Sequence, residues 1–311
     1  MTTEVPLRPT LCAICGRPGN ARELYAARLA PEAFSPEVFS ARRLPDNVHY
    51  RMVRCADCGL VRSDPIADPD ALAALYRRSE FGYADQVPAL RRTYRHYLDA
   101  LDQFGAQKGA LLEVGCGNGF FLETAREAGY AAVHGVEPSA DAVAKARPDI
   151  RPGIVRDVMR PGLFATGAFD VVCLFQVLDH LPDPGPVLDE CLRVLRPGGL
   201  ILCLNHNVEA FSARIMRERS PIVDVEHTYL YGPATMGRMF AAHGFHVRRV
   251  ATAWNISSVP YLVRLAPLPA PLKRGLLSVV ARDPFRRMEV RLPLGNLYLV
   301  GQKPDRLQPE A

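Results

Sequence analysis

Three observations predict an α/β fold built on a mostly parallel sheet. From Ala110 onward, short apolar runs alternate with amphipathic helix-length runs, the pattern of a sheet covered by helices on both faces. One of those apolar runs leads directly into a glycine-rich bend, Gly115-Cys116-Gly117-Asn118-Gly119, that opens a helix. Ahead of this region four cysteines stand in two close pairs with little hydrophobic periodicity around them, which marks a small separate module.

The elements follow in chain order. Residues 68–106 read as helix, with Asp70 as the cap before ALAALYRR, and a second helical stretch runs about Ala89–Phe104, closed by Gly105 to Gly109. ALLEV is a buried strand ending at glycine, and FFLETAREAGY is an amphipathic helix ending at Gly129. AAVHGV is the second strand, and SADAVAKAR is a helix capped by Ser139. A weaker strand lies near Gly153–Arg156, and FDVVCLF is a strongly apolar fourth. PVLDECLRVL places Val187, Leu188, Cys191, Leu192 and Leu195 on one helical face before Pro197-Gly198-Gly199 breaks it, and LILCL is the fifth strand. A helix follows Pro233, and FHVRRVATAW and LYLVGQK are late strands. Between them, YLVRLAPLPAPLKRGLLSVVAR is apolar, basic and broken by proline. It reads as a packed insertion, with a substrate lid, an oligomer contact or a membrane-surface element as alternatives.

Composition sets limits. A chain of 311 residues with 48% hydrophobic and 23% charged residues can bury a globular core as one large domain or two. The net charge of +5 is a poor guide to a partner, because the cations are nearly all arginine and no block of five like charges occurs. The N-terminus lacks a charged start followed by an apolar run, so no signal peptide is expected and the location is expected to be cytoplasmic. No run of 18 apolar residues exists, so no transmembrane helix is expected.

The glycine bend lets the backbone turn tightly and lets a ligand approach it, while the helix start behind it offers free N–H groups. A dinucleotide-binding loop needs a further glycine where Phe120 stands; the compact bend, with Glu113 before it, suits S-adenosylmethionine (SAM) better. Glu137 ends the second strand about 20 residues on, where a carboxylate can accept both ribose hydroxyls. Asp157 follows the third strand and can accept from an adenine amino group, and Phe175 ends the fourth strand at the same sheet edge.

These residues, with Phe169-Asp170-Val171-Val172, Leu181-Pro182-Asp183-Pro184 and Leu195-Arg196-Pro197-Gly198-Gly199, resemble class I SAM-dependent methyltransferases over about Ala110–Lys303. The resemblance implies a Rossmann-like sheet of seven strands with an antiparallel last strand. It also implies cofactor contacts at Gly115, Gly117, Gly119, Glu137, Asp157 and Phe175.

Cys12-Ala13-Ile14-Cys15-Gly16 and Cys55-Ala56-Asp57-Cys58-Gly59 are matching CxxCG knuckles. Two such turns close a tetrahedral Cys₄ site, which points to structural zinc with no open position for catalysis. The expected organisation is a zinc-binding module over 1–66, a helical linker over 67–108, the methyltransferase domain over 109–304 and a tail over 305–311.

A sulfonium methyl is already activated, so the protein must align a nucleophile and usually remove its proton, a task suited to histidine. His180, His206 and His227 stand at or near strand ends. Gln176-Val177-Leu178-Asp179-His180-Leu181 and Leu204-Asn205-His206-Asn207 resemble stretches of ubiquinone-pathway O-methyltransferases. Those enzymes carry acids where Gln176 and Asp179 stand, and with the first acid lost no second metal is assigned. Asp224-Val225-Glu226-His227-Thr228-Tyr229-Leu230-Tyr231 resembles a segment of C-methyltransferases acting on nucleotide-linked sugars, which also carry a zinc module. That resemblance makes His227 the base and Glu226 its neighbour. Alternatively His180 bonds a neighbouring loop, and Tyr229 and Tyr231 only pack the following helix.

The expected activity is methyl transfer from SAM to a small-molecule acceptor: a sugar, a quinone-like compound or a natural product. O-methylation is preferred, with C-methylation of a nucleotide-linked sugar as one alternative. Some ribosomal RNA methyltransferases also carry a Cys-rich N-terminal module. The module here lacks clustered cations interleaved with aromatics, which disfavours a nucleic-acid partner.

Overall fold

The computed structural model describes residues 5–29, 34–35, 37–40, 46–266 and 268–305. Beyond Asp305, the expected tail lies outside the described residues.

The N-terminal region forms β1 (Leu7–Arg8), β2 (Ala21–Tyr25), β3 (Met52–Cys55), β4 (Val61–Ser63) and β5 (Ile66–Ala67). β2, β3 and β4 make an antiparallel meander, and β1 pairs with β5. The first cysteine knuckle precedes β2, and the second turns β3 into β4, so both sit at the same end of the meander.

Two helices follow, α1 (Pro69–Arg77) and α2 (Val87–Asp99), extended by a 3₁₀ turn over Ala100–Phe104. The cap of α1 is Asp68, whose carboxylate accepts from the Asp70 amide at 3.0 Å, rather than Asp70 itself. Pro69 occupies the first helical position, where its missing N–H costs nothing.

The alternating region gives β6 (Ala110–Val114), α3 (Phe120–Glu127), β7 (Ala132–Val136), α4 (Ala140–Ala144), β8 (Ile154–Val155), β9 (Phe169–Phe175), α5 (Gly185–Val194) and β10 (Leu195–His206). Beyond it lie α6 (Phe211–Met216), β11 (Tyr229–Leu230), α7 (Pro233–Ala242), β12 (His246–Ser258), α8 (Val259–Leu265), α9 (Ala270–Val280) and β13 (Glu289–Gln302). Seven strands form one sheet in the order β8-β7-β6-β9-β10-β13-β12. The first five are parallel, and β13 runs antiparallel to both its neighbours, as the resemblance implies.

Side-chain alternation builds two cores. Leu112, Val114, Val172, Leu174, Ile201 and Cys203 face one layer of helices, and Leu111, Val171, Cys173, Leu200, Leu202 and Leu204 face the other. Burial on both faces explains why β9 is apolar at nearly every position.

β11 is a finding the sequence does not announce. It leaves the large sheet and pairs antiparallel with β4, Tyr229 opposite Arg62 and Leu230 opposite Val61. The meander thus becomes four-stranded, β11-β4-β3-β2. Among the described residues no helix is long and apolar enough to cross a membrane.

Candidate active site

The carboxyl ends of β6, β7, β8, β9 and β10 share one edge of the sheet, and a cavity of about 930 Å³ opens along it. Ligands of such sheets bind in the crevice outside these strand ends.

The glycine bend forms one end of the cavity. Gly115, Gly117 and Gly119 have φ of 72°, 54° and 74°, a region that L side chains avoid. A Cβ on Gly117 would lie 2.8 Å from the Tyr83 hydroxyl, and one on Gly115 would lie 2.5 Å from Val177 Cγ2. Gly119 caps α3 and lies outside the cavity lining; a Cβ there would meet Ile150 at 2.8 Å. Glu137 turns toward the bend: its Oε2 accepts from the Gly117 amide at 2.9 Å and its Oε1 from the Ser139 amide at 2.8 Å. Burial raises the Glu137 carboxyl, against the lowering pull of those two amides.

Glu113 lies beneath the bend, and burial, then the Glu137 charge, pushes its carboxyl well above the ordinary range. Its Oε2 has no hydrogen-bond partner, and neither has Oε1 of Gln176, which also lines the cavity. Asp157 also lines the cavity, held on Arg160 by bonds of 2.7 and 2.9 Å and on the Val158 amide at 2.8 Å. Phe175 forms part of the wall, its ring stacked on Tyr94 at 4.0 Å between centroids. Tyr83 and Tyr94 are cavity residues that sequence reasoning missed. The amphipathic pattern of α2 marks Tyr94 as buried without saying against what.

The other end of the cavity holds three histidines around one carboxylate. Asp179 is fully enclosed; its Oδ2 lies 2.6 Å from His206 Nδ1 and its Oδ1 lies 3.7 Å from His180 Nε2. Burial acts to raise the Asp179 carboxyl, but the attraction of His206, then His180, outweighs it and holds the group well below the usual carboxylate range. His227 packs against both, its ring centroid 4.8 Å from that of His180 and 4.7 Å from that of His206. Donor atoms of Asp179, His180 and His227 all lie within 4.8 Å of one another. His227 Nδ1 lies 2.8 Å from the Ile222 carbonyl, which can only accept, so Nδ1 carries the hydrogen and Nε2 the lone pair. Burial, then the charges of His206 and His180, pushes His227 down to about 4, so it is neutral near pH 7. Tyr76 approaches His180 Nδ1 at 3.2 Å, and Glu226 is buried in the same wall.

The N-terminal sheet positions this cluster. Ser63 Oγ donates to the His227 carbonyl at 2.8 Å, and the Ser63 amide donates to the Thr228 carbonyl at 2.8 Å. The Thr228 amide in turn donates to the Asp179 carbonyl at 2.7 Å. Tyr229 therefore belongs to the sheet interface, its hydroxyl donating to the Leu11 carbonyl at 3.0 Å, rather than only packing the next helix.

The four knuckle cysteines converge. Sγ atoms of Cys12 and Cys58 are 3.3 Å apart, and those of Cys15 and Cys55 are 3.9 Å apart. All four donors lie within 4.8 Å of one another. Gly16 and Gly59, at φ of 65° and 78°, return their amides to the Cys12 and Cys55 carbonyls at 2.7 and 3.0 Å, closing each knuckle.

A family model described as a methyltransferase domain matches residues 87–250, slightly more than half the chain. The ubiquinone biosynthesis O-methyltransferase of Sodalis glossinidius (strain morsitans) is 31% identical over 167 residues, covering 50% of this chain and 65% of that protein. The enzyme of the same description from Xanthomonas oryzae pv. oryzae is 31% identical over 166 residues, covering 47% and 64%. The chain thus spans slightly less than two thirds of the length of these curated relatives. Among solved structures, a complex of the Haloferax volcanii Trm112 methyltransferase activator with a putative methyltransferase aligns at 19% identity and a TM-score of 0.48, covering 76% of this chain and 98% of that one. On the matched domain and the sheet that carries the glycine bend, this chain belongs to the class I SAM-dependent methyltransferases.

Proposed function

We propose that the chain methylates a small-molecule acceptor, most readily at a hydroxyl, with the acceptor held at the histidine end of the cavity. The observation that carries this reading is the His227 tautomer. A neutral imidazole whose Nδ1 hydrogen is bound to Ile222 presents Nε2 as a base in the wall of a cavity large enough for a nucleoside and a second ligand.

The glycine end fits SAM. The cradle would be filled by a Cβ, Glu113 Oε2 and Gln176 Oε1 are buried without partners, and Glu137 stands beside the bend with both oxygens oriented by backbone amides. Gly115 and Gly117 admit the amino-acid end, Gly119 shapes the turn, Glu137 accepts from the ribose, and Asp157 and Phe175 border the adenine. When bound, SAM supplies an electrophilic methyl group on a sulfonium. His227 Nε2 removes the acceptor proton, and Asp179 offsets the charge that then appears on the imidazole ring. Asp179 is ionised and anchored by His206, so it does this without rearranging. His180 and Glu226 complete the acceptor wall.

The four thiolates fit zinc. A tetrahedron with Zn–S bonds of about 2.3 Å has edges of about 3.8 Å, and the two Sγ separations of 3.3 and 3.9 Å lie on either side of that length. Bound there, zinc would tie the two knuckles together at the end of the meander. The proposed division is therefore a zinc module over 1–66, a helical linker over 67–108 and a catalytic domain over 109–304.

C-methylation of a nucleotide-linked sugar is a second reading. It draws on the same base and on the join between the zinc module and the His227 loop, since that chemistry also needs a proton removed at the acceptor. Replacing His227 with Ala tests both. Turnover should fall by at least about a hundredfold, with SAM affinity by calorimetry nearly unchanged; undiminished turnover removes His227 from the chemistry. Analysis of the methylated product distinguishes O from C. Salt-dependent retention of RNA would support instead a ribosomal RNA substrate docked through the zinc module.

A further inference from the structure

We propose that the insertion between β12 and β13 is a membrane-surface element that docks this protein on an anionic bilayer. The insertion comprises α8, α9 and the turn over Phe285–Arg287, which pack on one another. Little of it is buried: among the side chains of α9 only Val280 is.

Seven of the thirteen large apolar side chains exposed among the described residues fall between Leu272 and Leu294. Leu272, Leu276 and Val279 recur at helical spacing along one face of α9, with Leu272 and Val279 exposed to 52% and 50%. Phe285 and Met288 extend the apolar surface past the helix end. Exposed apolar surface concentrated in this way marks an interface.

Charge identifies what covers it. Residues 259–294 contain seven Lys and Arg against two Asp and Glu, a net +5 that equals the formal charge of the entire chain. The two acids are already engaged, Asp283 with Arg286 and Arg287, and Glu289 with Arg92. Arg274 and Arg282 have no carboxylate partner among the described residues and are exposed. A two-fold dimer through this face would set the same positive surface against itself. A nucleic acid would meet the cations and leave the Leu, Val, Phe and Met side chains without apolar company. A bilayer carrying anionic lipid satisfies both sets, apolar side chains at the acyl boundary and cations among the headgroups.

The placement has a geometric sense. Tyr261, Leu262 and Leu265 of α8 line the cavity, so docking brings one cavity wall to the interface, whichever acceptor the cavity takes.

The experiment is co-sedimentation of the full chain with vesicles of phosphatidylcholine alone and of phosphatidylcholine and phosphatidylglycerol in equal parts. Binding is expected to the mixed vesicles and to weaken with salt. Arg274→Glu with Arg282→Glu should lower it at least about tenfold, and Leu272→Asp with Val279→Asp should abolish it. Both variants should keep SAM affinity by calorimetry, which shows that they fold. The proposal is overturned by failure to bind the mixed vesicles, by equal binding to both, or by undiminished binding of the folded variants. A sedimentation-equilibrium dimer that Leu272→Asp dissociates would overturn it too, because a second copy would then cover the face.

Discussion

A neutral histidine presents one lone pair, and the partner of its other nitrogen decides where. For His227 the Ile222 carbonyl makes that choice, and burial fixes the protonation state by lowering the group from 6.5 to about 4. The neutral, base-competent form therefore persists below the ordinary histidine range. The acid limb of kcat/KM assigned to His227 should fall below pH 6.5 and toward 4; a limb that vanishes in His227→Ala but sits at or above 6.5 would contradict the burial. Folding obeys the same sign. The unfolded chain takes up the proton near 6.5 and the folded chain only near 4, so this contribution is complete above 6.5 and fades as pH falls toward 4. Glu137→Ala removes a carboxylate that two amides orient, and SAM should bind at least about tenfold more weakly by calorimetry. Glu137 was legible because it ends a strand at a fixed distance from the glycines. The clustering of Asp179 with His206 was not, since 27 residues separate them and only the parallel pairing of β9 with β10 brings their strand ends together.

At the scale of elements, the bend between β6 and α3 depends on backbone that only glycine adopts freely. Gly117→Ala should cost roughly 1–2 kcal/mol of stability and weaken SAM binding as well, because the added Cβ meets Tyr83 at 2.8 Å. Thermal unfolding with and without SAM separates the two effects. Strand, bend and helix were readable here because a short continuous apolar run, a glycine cluster and an amphipathic run of period 3.6 occur in succession. The linker's sequence predicts nearly continuous helix, whereas α1 and α2 are separated by residues 78–86, which carry Tyr83 to the bend. β11 leaves no mark in the sequence because two residues show no alternation and its partner β4 lies far away along the chain.

Across the whole molecule, the knuckles and the proposed base are joined through one sheet. Ser63, five residues past Cys58, bonds the His227 backbone, and β4 pairs with β11. Metal analysis should give one zinc per chain, and a value near zero would remove the Cys₄ assignment. Stripping that zinc with a chelator should reduce methyl transfer while leaving SAM affinity largely intact, because the glycine bend is built on a different sheet. Equal loss of both would mean general unfolding instead. The convergence of the four knuckle cysteines was legible in the sequence. Their contact with the histidine end of the cavity was not, because it rests on a hydrogen bond spanning 164 residues.

The strand at Tyr229–Leu230 also bears on how such a protein can be cut and recombined. Exchanging the first 66 residues for those of a relative would change the partner of β11 and with it the seat of the proposed base. A working chimera would have to carry residues 224–231 along with the donor's N-terminal module. Viable chimeras should therefore need three crossovers, one before α1 and two flanking that loop, and libraries shuffled at the first boundary alone should retain cofactor binding yet lose turnover.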